Sequence, residues 1–441
     1  MTKLSTTSAL WLGLLFGCIG TEGGNPHEGR DMGAPDGATS SDMLLPGSDS
    51  GALDGGHSCD ADAGIPAALC GDGVVAEECP CATGEPAAFA ETERGRLTTL
   101  VGPTSTGGFV ALLTRRCSEG CHETRRLSLE VHRTDARGEP LGEPIEVTPS
   151  SVGNNGDHAA LLVNDSLVLA FADERAGLSG ASDVFFARLD LNTGEWLLAP
   201  QRVVAAALPI LKVWLAPVAG GYAVLYAHTN ELTPEHVPGA HLVQIDETDS
   251  ASEPVRVVSS PDHPGPFVAT ESGFLLARWQ ASSFELVPLD ATGAEVGPAS
   301  VWPTESGWGE GPLMVRTGSS YRVAWSDAAG LHSGSADSTG RPVGPPVTLA
   351  AGKLHSMVAG ADGSTAILWA EHDDCQPHVL GRLVLTWLDV GGNRVQPDQL
   401  VVSAEQTAEG RLAGTPTRLV AGYVSDGPSG PTAWTVNACG D

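Results

Sequence analysis

The sequence contains little positive charge. It has 24 lysines and arginines against 54 aspartates and glutamates, and its lysines are Lys3, Lys212 and Lys353. A net charge of −30 disfavours binding to the phosphate backbone of nucleic acids, which proteins contact through clusters of Lys and Arg. We therefore expect no nucleic-acid partner.

The sequence also lacks long helical patterns and common catalytic motifs. No long stretch repeats apolar residues with a period of 3.6, whereas 55 glycines and 31 prolines indicate frequent turns. No nucleophile elbow, phosphate-binding loop, His-Glu-x-x-His helix or sialidase-type Ser-x-Asp-x-Gly box occurs. We expect no cofactor and no metal, and no reaction can be read from the sequence.

The dominant feature of the sequence is a repeat. Six times an apolar run ends in an Asp, a turn follows, and a Pro opens another apolar run. The aspartates are Asp135, Asp190, Asp246, Asp290, Asp337 and Asp389. The prolines are Pro144, Pro200, Pro254, Pro298, Pro345 and Pro397. Spacings of 44 to 56 residues between successive aspartates are typical of stacked or radial repeat architectures.

Each repeat is interpreted as four short antiparallel strands. The second strand is an apolar run that is too short for a helix and mostly ends in an aromatic residue. These runs are residues 109–113, 167–171, 222–226, 274–279, 321–325, 365–369 and 419–423. The Asp and a nearby Gly predict a hairpin turn between strands three and four, and the Pro suits the start of an edge strand.

Four-stranded antiparallel units with proline at their outer edges predict an all-β fold, the β-propeller. The sequence contains seven second strands but six Asp-to-Pro hairpins, so the last unit, near residues 411–439, lacks an outer strand. We expect residues 85–92 to supply that strand and to close the ring. The sequence thus predicts a seven-bladed propeller over residues 85–441.

Residues 1–17 have the features of an export signal. Lys3 precedes an apolar stretch at residues 9–16 that is too short to span a membrane. The sequence Leu15-Phe16-Gly17-Cys18 resembles the lipobox of Gram-negative bacterial lipoproteins. The resemblance implies cleavage before Cys18 and acylation of Cys18, for example with palmitate. Because Ile19 rather than Asp follows, it also implies an outer-membrane anchor, on the periplasmic or cell-surface side.

Residues 18–84 are predicted to be a disordered tether. Thirteen acidic residues lie between positions 19 and 85 against Arg30 alone, and Gly, Ser, Pro and Ala dominate. Such a segment buries too little apolar surface to offset its chain entropy. As a flexible coil it would span roughly 45 Å, which holds the propeller clear of the membrane.

Besides Cys18 the sequence has eight cysteines. An even number in an exported chain predicts disulfide bonds. Cys117 and Cys121 flank the hairpin between strands two and three of the first unit, and we expect them to pair with each other.

Cys439 lies at the end of the third strand of the last unit, next to the expected N-terminal strand. A bond from Cys439 to Cys79 or Cys81 would lock the ring closed, because a crosslink over a long loop removes much chain entropy. Cys375 is the alternative partner.

Three histidines are candidate binding residues. His158, His263 and His355 each lie near the start of a unit's first strand, and first strands line the centre of a propeller. Asp157 and Asp262 directly precede two of them. If these side chains converge, they would suit a metal or an anion. The alternative is that they are polar residues at a wet rim.

Tryptophans offer a second candidate surface. Trp302 and Trp308 lie beside Glu305 and Glu310 on a connection between units. Exposed Trp next to carboxylates suits stacking on a sugar or on a partner's side chain, whereas packing between units is the alternative. The repeated aspartates are interpreted as turn residues, because no Asp-x-Asp-x-Asp-Gly calcium loop occurs.

These observations favour a non-catalytic, monomeric binding platform on an outer-membrane lipoprotein, with a protein or glycan ligand. This expectation rests on analogy, since ring folds without catalytic motifs commonly host partners. The rival hypothesis is a secreted carbohydrate-active hydrolase or lyase. It would use Asp157 and Asp262 together with the central histidines, because acid–base chemistry needs two such groups near one substrate.

Overall fold

The computed structural model describes most of the predicted repeat region. The described residues are 87–92, 95–116, 127–136, 138–148, 155–173, 182–205, 210–228, 239–259, 263–280, 282–305, 311–360, 362–372, 380–402, 407–415, 418–425 and 432–439. Every regular element in these ranges is a β-strand. The same ranges contain no helix with the length and hydropathy that a membrane crossing requires.

Twenty-eight strands are formed in the described ranges. They are β1 (Ala87–Thr92), β2 (Gly95–Val101), β3 (Val110–Arg116), β4 (Leu127–Arg133), β5 (Ile145–Glu146), β6 (Asn155–Val163), β7 (Ser166–Asp173), β8 (Asp183–Asp190), β9 (Trp196–Val204), β10 (Ile210–Val218), β11 (Gly221–His228), β12 (Gly239–Asp246), β13 (Val255–Ser259), β14 (His263–Ala269), β15 (Gly273–Gln280), β16 (Ser283–Asp290), β17 (Ser300–Pro303), β18 (Leu313–Thr317), β19 (Ser320–Asp327), β20 (Gly330–Ala336), β21 (Val347–Ala350), β22 (Gly352–Ala359), β23 (Thr365–His372), β24 (Leu380–Leu388), β25 (Gln399–Val402), β26 (Thr407–Thr415), β27 (Arg418–Ser425) and β28 (Thr432–Cys439).

In the described part of the chain these strands form seven four-stranded antiparallel sheets. Six sheets are complete blades built from strands that follow one another in the sequence: sheets 1 to 6 are β2–β5, β6–β9, β10–β13, β14–β17, β18–β21 and β22–β25. Sheet 7 differs, because its strands β26, β27 and β28 are completed by β1 from the other end of the repeat region. The expected closure by an N-terminal strand is therefore present, and the chain supplies six self-contained blades.

The sheets are arranged as a ring. The first strand of each sheet, called the inner strand below, contacts the inner strands of both neighbouring sheets, and β26 contacts β2. Among the described residues, each hydrophobic cluster joins two neighbouring sheets, as Leu112 of β3 and Phe171 of β7 do. The all-β class and the propeller of four-stranded antiparallel blades are thus confirmed.

Burial explains why the strand patterns differ along each sheet. The second strand lies between two neighbouring sheets, so β7 is buried at nearly every position and reads as a continuous apolar run. The outer strand β9 instead alternates between half-buried and exposed residues. Second strands also continue past the predicted end of the apolar run, into polar residues such as Asp173 and Asp327.

The proline column lies at strand starts with one exception. Five prolines directly precede or lie close before the outer strands β5, β13, β17, β21 and β25. Pro200 was predicted to open its strand, but it lies inside β9. The β8–β9 register shifts beside it, between Phe186 and Arg188, so this proline is accommodated at an irregularity where no regular ladder bond is required.

The Asp hairpins have the predicted turn chemistry. In Asp290–Gly293 the carboxylate accepts the N–H groups of Thr292 and Ala294, and Gly293 has a φ of 88°. Bonds from the Thr292 hydroxyl and the main chain hold the pKa of Asp290 below its usual value. The hairpin after Asp246 has no Gly, and there Asp249 adopts the positive φ, at 63°.

The hairpins of sheets 2 to 6 also pack against the preceding sheet. Within the described residues there are five successive pairs of neighbouring sheets in which a side chain of the first sheet donates a hydrogen bond to the hairpin of the second. Sheet by sheet, these bonds are Arg133 Nη1 to Leu191 O (2.8 Å), Arg188 Nη1 to Asp249 Oδ1 (3.1 Å), Gln244 Nε2 to Ala291 O, Trp302 Nε1 to Gly340 O (3.1 Å) and Arg322 Nη2 to Val390 O (2.9 Å). We call these bonds the hairpin braces.

The hairpin glycines face the preceding sheet at close range. A Cβ atom on Gly340 would lie 2.8 Å from Cβ of Leu286 and 2.9 Å from Cδ1 of Leu275, both in sheet 4. A Cβ on Gly293 would lie 2.6 Å from Cγ1 of Val257 in sheet 3. Glycine is thus required both by the positive φ of the turn and by the packing between sheets.

Trp302 does not form a binding surface. Its side chain is 1% exposed, lies against Phe284 and Trp325, and donates a brace to Gly340. The role of Trp302 is therefore packing between units, which is the alternative given in the sequence analysis.

Several predictions concern residues outside the described ranges. They include the signal peptide, the tether, Cys18, Trp308 and the disulfide candidates Cys79, Cys81, Cys117, Cys121 and Cys375. Cys439 ends β28, but its side chain is not described.

Two glycines of sheet 5 separate the turn requirement from the packing requirement. Gly340 and Gly344 have nearly equal φ values, 81° and 85°, but a Cβ on Gly344 would meet nothing within 4 Å. Gly344→Ala should cost only the positive φ, about 1 kcal/mol. Gly340→Ala should cost about 1–3 kcal/mol more, because an added methyl must displace sheet 4. Calorimetric melting of both variants checks this, and equal melting temperatures would contradict the packing role.

Candidate functional site: the central arc

Bulges in the inner strands set the shape of the ring's centre. In the described residues, β2, β6, β10, β14, β22 and β26 each contain a register shift near the start of the strand, whereas β18 pairs regularly. Thr98 and His355 are themselves the unpaired residues, and His158 directly follows a bulge. Because a bulge turns side chains away from the regular alternation, polar residues can be directed toward the centre.

His158 of sheet 2 is joined to sheet 1. Its Nε2 lies 2.6 Å from the hydroxyl of Thr98, and that hydroxyl lies 2.9 Å from Leu112 O. The Thr98 hydroxyl donates its proton to this carbonyl, so it must accept from His158 Nε2–H. The neutral imidazole therefore has its lone pair on Nδ1.

Asp157 links sheet 2 to sheet 3 in the same way. Its Oδ2 accepts the N–H of Val213 at 3.0 Å, and its Oδ1 lies 3.5 Å from Nζ of Lys212. The Lys212 side chain is 60% exposed, so the ammonium group remains accessible to solvent and to a ligand.

Arg411 joins sheet 7 to sheet 1. Its Nε donates to Thr98 O at 2.9 Å, and its Nη1 donates to Gly410 O at 2.9 Å. On the other side of sheet 7, His355 Nδ1 lies 3.5 Å from the Gly410 N–H. Polar contacts thus run continuously through sheets 6, 7, 1, 2 and 3. We call Thr98, Asp157, His158, Lys212, His355 and Arg411 the central arc.

The arc keeps His158 uncharged. Burial is the main cause that lowers the pKa of His158 to about 4; Asp157 opposes this effect, and the positive charges of Arg411 and Lys212 contribute to it. At neutral pH the imidazole therefore acts as a hydrogen-bonding group rather than as a cation. A base this weak is poorly matched to general base catalysis near pH 7.

The predicted histidines share a position but are not shown to converge. His158, His263 and His355 all lie in inner strands. The side chain of His263 is not described, and Asp262 lies outside the described ranges. Among the residues that are described, no group of three His, Cys, Asp or Glu side chains is placed to hold a metal ion.

Sequence reasoning missed three members of the arc. Thr98, Lys212 and Arg411 have no motif around them, and their proximity follows from the ring closure and the bulges. One signal was available for Lys212, because Lys212 and Lys353 are the only lysines of the sequence beyond the signal peptide.

A second polar cluster, also missed, lies in sheet 3. The rings of Tyr226, His228 and His241 have centroids 4.8–5.6 Å apart. Burial, with His228 and Arg256 nearby, lowers the pKa of His241 to about 4, and burial raises the pKa of Tyr226 to about 12. The cluster is thus an aromatic contact within one sheet, in which His241 and Tyr226 are uncharged at neutral pH.

Comparison with known proteins assigns no family to the chain. No protein-family profile matches it, and no curated protein does. Solved structures with a similar chain path include a protein of unknown function from Dyadobacter fermentans, at 13% identity, with 80% of this chain and 97% of that chain covered and a TM-score of 0.46. The NanB sialidase from Streptococcus pneumoniae is 11% identical over 80% and 69% of the two chains, with a TM-score of 0.43. The β-propeller domain of Cps50 (Swd1) from Myceliophteria thermophila is 13% identical over 80% and 99%, with a TM-score of 0.48.

The state of His158 can be tested by titration. Its folded pKa of about 4 lies below the unfolded value of about 6.5. Between these values the unfolded chain binds a proton that the folded chain does not, so the free energy of unfolding should fall as pH falls from about 6.5 to about 4. His158→Gln should remove this part of the acid sensitivity.

The measurement is melting temperature against pH for the wild type and His158→Gln, together with imidazole NMR. The resonance that is lost in the variant should titrate near pH 4 in the wild type. A midpoint near 6.5 would show that the imidazole is solvated and that the arc does not enclose it.

Proposed function

We propose that the chain is a non-catalytic binding platform whose ligand, a glycan or a protein segment, contacts the central arc. The observation that carries this proposal is the continuous hydrogen bonding through five neighbouring sheets. It presents hydroxyl, imidazole, ammonium and guanidinium groups side by side on a rigid ring, and such convergence of polar groups is typical of ligand sites.

The contacts that the candidate catalytic groups already make favour binding over the rival hypothesis of a carbohydrate-active enzyme. Asp157 accepts a main-chain N–H of the next sheet, and His158 is fixed by Thr98. Both groups therefore stabilise contacts between sheets. The low pKa of His158 further disfavours acid–base catalysis at neutral pH.

Ligand-observed NMR distinguishes binding from catalysis. The full chain would be mixed with neutral and acidic oligosaccharides and with extended peptides, and saturation transfer to each ligand would be recorded. We expect transfer to at least one ligand, loss of that transfer in Thr98→Val/His158→Leu, and retention in Arg316→Gln. Arg316 is a suitable control because it lies near the far end of β18 and pairs with Glu271.

The same spectra test the rival hypothesis of a carbohydrate-active enzyme. New anomeric signals would indicate a hydrolase and new olefinic signals a lyase, and either would overturn the proposal. Transfer that is unchanged in the arc double variant would place the ligand elsewhere.

We further propose that Cys18 carries the lipid that anchors the platform to the outer membrane. The support is the lipobox-like sequence at residues 15–18 and the acidic, Gly- and Ser-rich segment that follows. Expressed in a Gram-negative host, the chain should fractionate with outer membranes and carry an acylated N-terminal Cys18 in mass spectrometry. Cys18→Ser should release it into the soluble fraction. An unmodified mature N-terminus at another residue would contradict the proposal.

A further inference from the structure

Three side chains lie side by side across the second, third and outer strands of sheet 5. Trp325 of β19 pairs with His332 of β20, and His332 pairs with Thr348 of β21. Directly opposed residues of an antiparallel pair point to the same face of the sheet. The indole of Trp325 stacks on the imidazole of His332, with ring centroids 5.3 Å apart and an interplanar angle of 23°. The register therefore places the imidazole beside the hydroxyl of Thr348.

Asp327 holds the other side of the imidazole. It ends β19, two residues beyond Trp325, and its Oδ1 lies 2.8 Å from Nε2 of His332. The same carboxylate accepts the N–H of Ala329 at 2.9 Å and, through Oδ2, the N–H of Glu305 at 3.0 Å. Burial opposes ionisation of Asp327, but these hydrogen bonds outweigh burial and lower the pKa of the carboxyl group. An ionised carboxylate, itself fixed by the main chain, therefore orients His332.

The direction of the hydrogen bonds follows from the carboxylate. An ionised carboxylate only accepts, so Nε2 of His332 carries a proton and donates it to Asp327. In the neutral imidazole, Nδ1 then has the lone pair. The hydroxyl of Thr348 lies 3.1 Å from Nδ1 and is the donor of that bond. Thr348, His332 and Asp327 thus form a continuous hydroxyl–imidazole–carboxylate chain.

This chain of hydrogen bonds runs from the surface into the protein. Thr348 is an exposed residue of the outer strand, whereas the side chains of His332 and Asp327 are 12% and 4% exposed. An electrophile can therefore approach the hydroxyl while the carboxylate behind it is shielded from water. A hydroxyl bonded to an imidazole that a carboxylate orients is the arrangement that activates Ser and Thr nucleophiles.

Sheet 3 shows that a histidine at this position does not require such partners. His241 pairs with Tyr226, the aromatic residue that ends its buried run, as His332 pairs with Trp325. Nδ1 of His241 is buried and has no hydrogen-bond partner among the described residues. The carboxylate and the hydroxyl of sheet 5 are therefore additions to a row that packs without them.

We propose that Thr348 is a base-activated nucleophile that accepts an acyl group from an activated ester. This inference goes beyond the binding function proposed above and concerns residues outside the central arc. In the reaction, Oγ1 of Thr348 bonds to the carbonyl carbon while its proton passes to Nδ1 of His332. The bond from that carbon to the leaving oxygen then breaks, and His332 returns the proton to the leaving alkoxide. The products are an acyl ester of Thr348 and a free alcohol.

The direct test is incubation of the full chain with p-nitrophenyl acetate. Release of p-nitrophenolate is followed by absorbance, and the acetylated residue is located by peptide mass spectrometry. We expect a burst of about one equivalent and an acetyl group on Thr348. Competing acetylation of amines is limited, because Lys212 and Lys353 are the only lysines of the sequence beyond Lys3. Thr348→Val should abolish the burst, and Thr348→Ser should retain it.

Two further variants distinguish a base-activated hydroxyl from an ordinary one. His332→Gln should slow acetylation about 100-fold, in the usual range for loss of a general base. Thr339→Val is the matched control, because the hydroxyl of Thr339 is also exposed but donates directly to Asp337 at 2.7 Å, with no imidazole between them. It should leave the burst unchanged. Melting temperatures are recorded for each variant, and Thr348→Val decides the matter if His332→Gln does not fold.

The positioning role of Asp327 is tested by nitrogen NMR of the imidazole. Wild-type His332 should be the Nε2–H tautomer. Asp327→Asn should increase the Nδ1–H tautomer, because an amide N–H can donate to Nε2, and it should slow acetylation. A merely structural role predicts a lower melting temperature with the tautomer and the rate unchanged.

The outcomes separate this inference from the binding function. No burst, acetyl groups confined to other residues, or equal rates in Thr348→Val and the wild type would overturn the inference and leave the binding platform untouched. Release of many equivalents that is lost in Thr348→Val would support Thr348 as the nucleophile but contradict the non-catalytic function proposed above.

Discussion

The hairpin brace is the interaction on which the alignment of sheets 1 to 6 depends. A propeller sheet buries both faces only if the next sheet is held against it, and apolar packing alone does not fix the distance between them. Here a donor such as Arg322 or Trp302 reaches across to a main-chain carbonyl of the next hairpin. The hairpin glycine lets the two sheets approach closely enough for that bond. The turn therefore connects its own two strands and also holds the preceding sheet in place.

The same ring geometry creates the site. Closure of sheet 7 by β1 brings β26 beside β2, and only then can Arg411 reach Thr98. Bulges near the starts of the inner strands then turn Thr98, His158 and His355 out of the regular alternation. At the centre, these hydrogen bonds add to the apolar packing between sheets, to which inner-strand residues such as Leu97 and Ala413 contribute. A polar centre is compatible with stability because its groups are partnered by main-chain atoms or by one another.

Local patterns in the sequence predicted those structural features that depend on local chemistry. The Asp–Gly spacing predicted the hairpins, and the short apolar runs predicted the second strands, because each depends on a few neighbouring residues. The pairing of the N-terminal strand β1 with β28 was also predicted, from the count of repeats. Pro200 was misplaced because an irregularity in β9 cannot be seen in one sequence. The second role of Gly340 was missed because it depends on Leu275 and Leu286, more than fifty residues away in sequence. Thr98 and Arg411 are separated by most of the chain, so their contact depends on ring closure, which no local pattern encodes.

Hydrogen–deuterium exchange of Arg322→Met tests the central role of the braces most directly. Arg322 lies in sheet 5, but it binds the main chain of the sheet 6 hairpin at Asp389 and Val390. If braces hold the sheets together, exchange in residues 389–395 should accelerate in this variant, whereas Arg316→Met should leave those amides protected. Acceleration that stays within sheet 5, with residues 389–395 unchanged, would contradict the account.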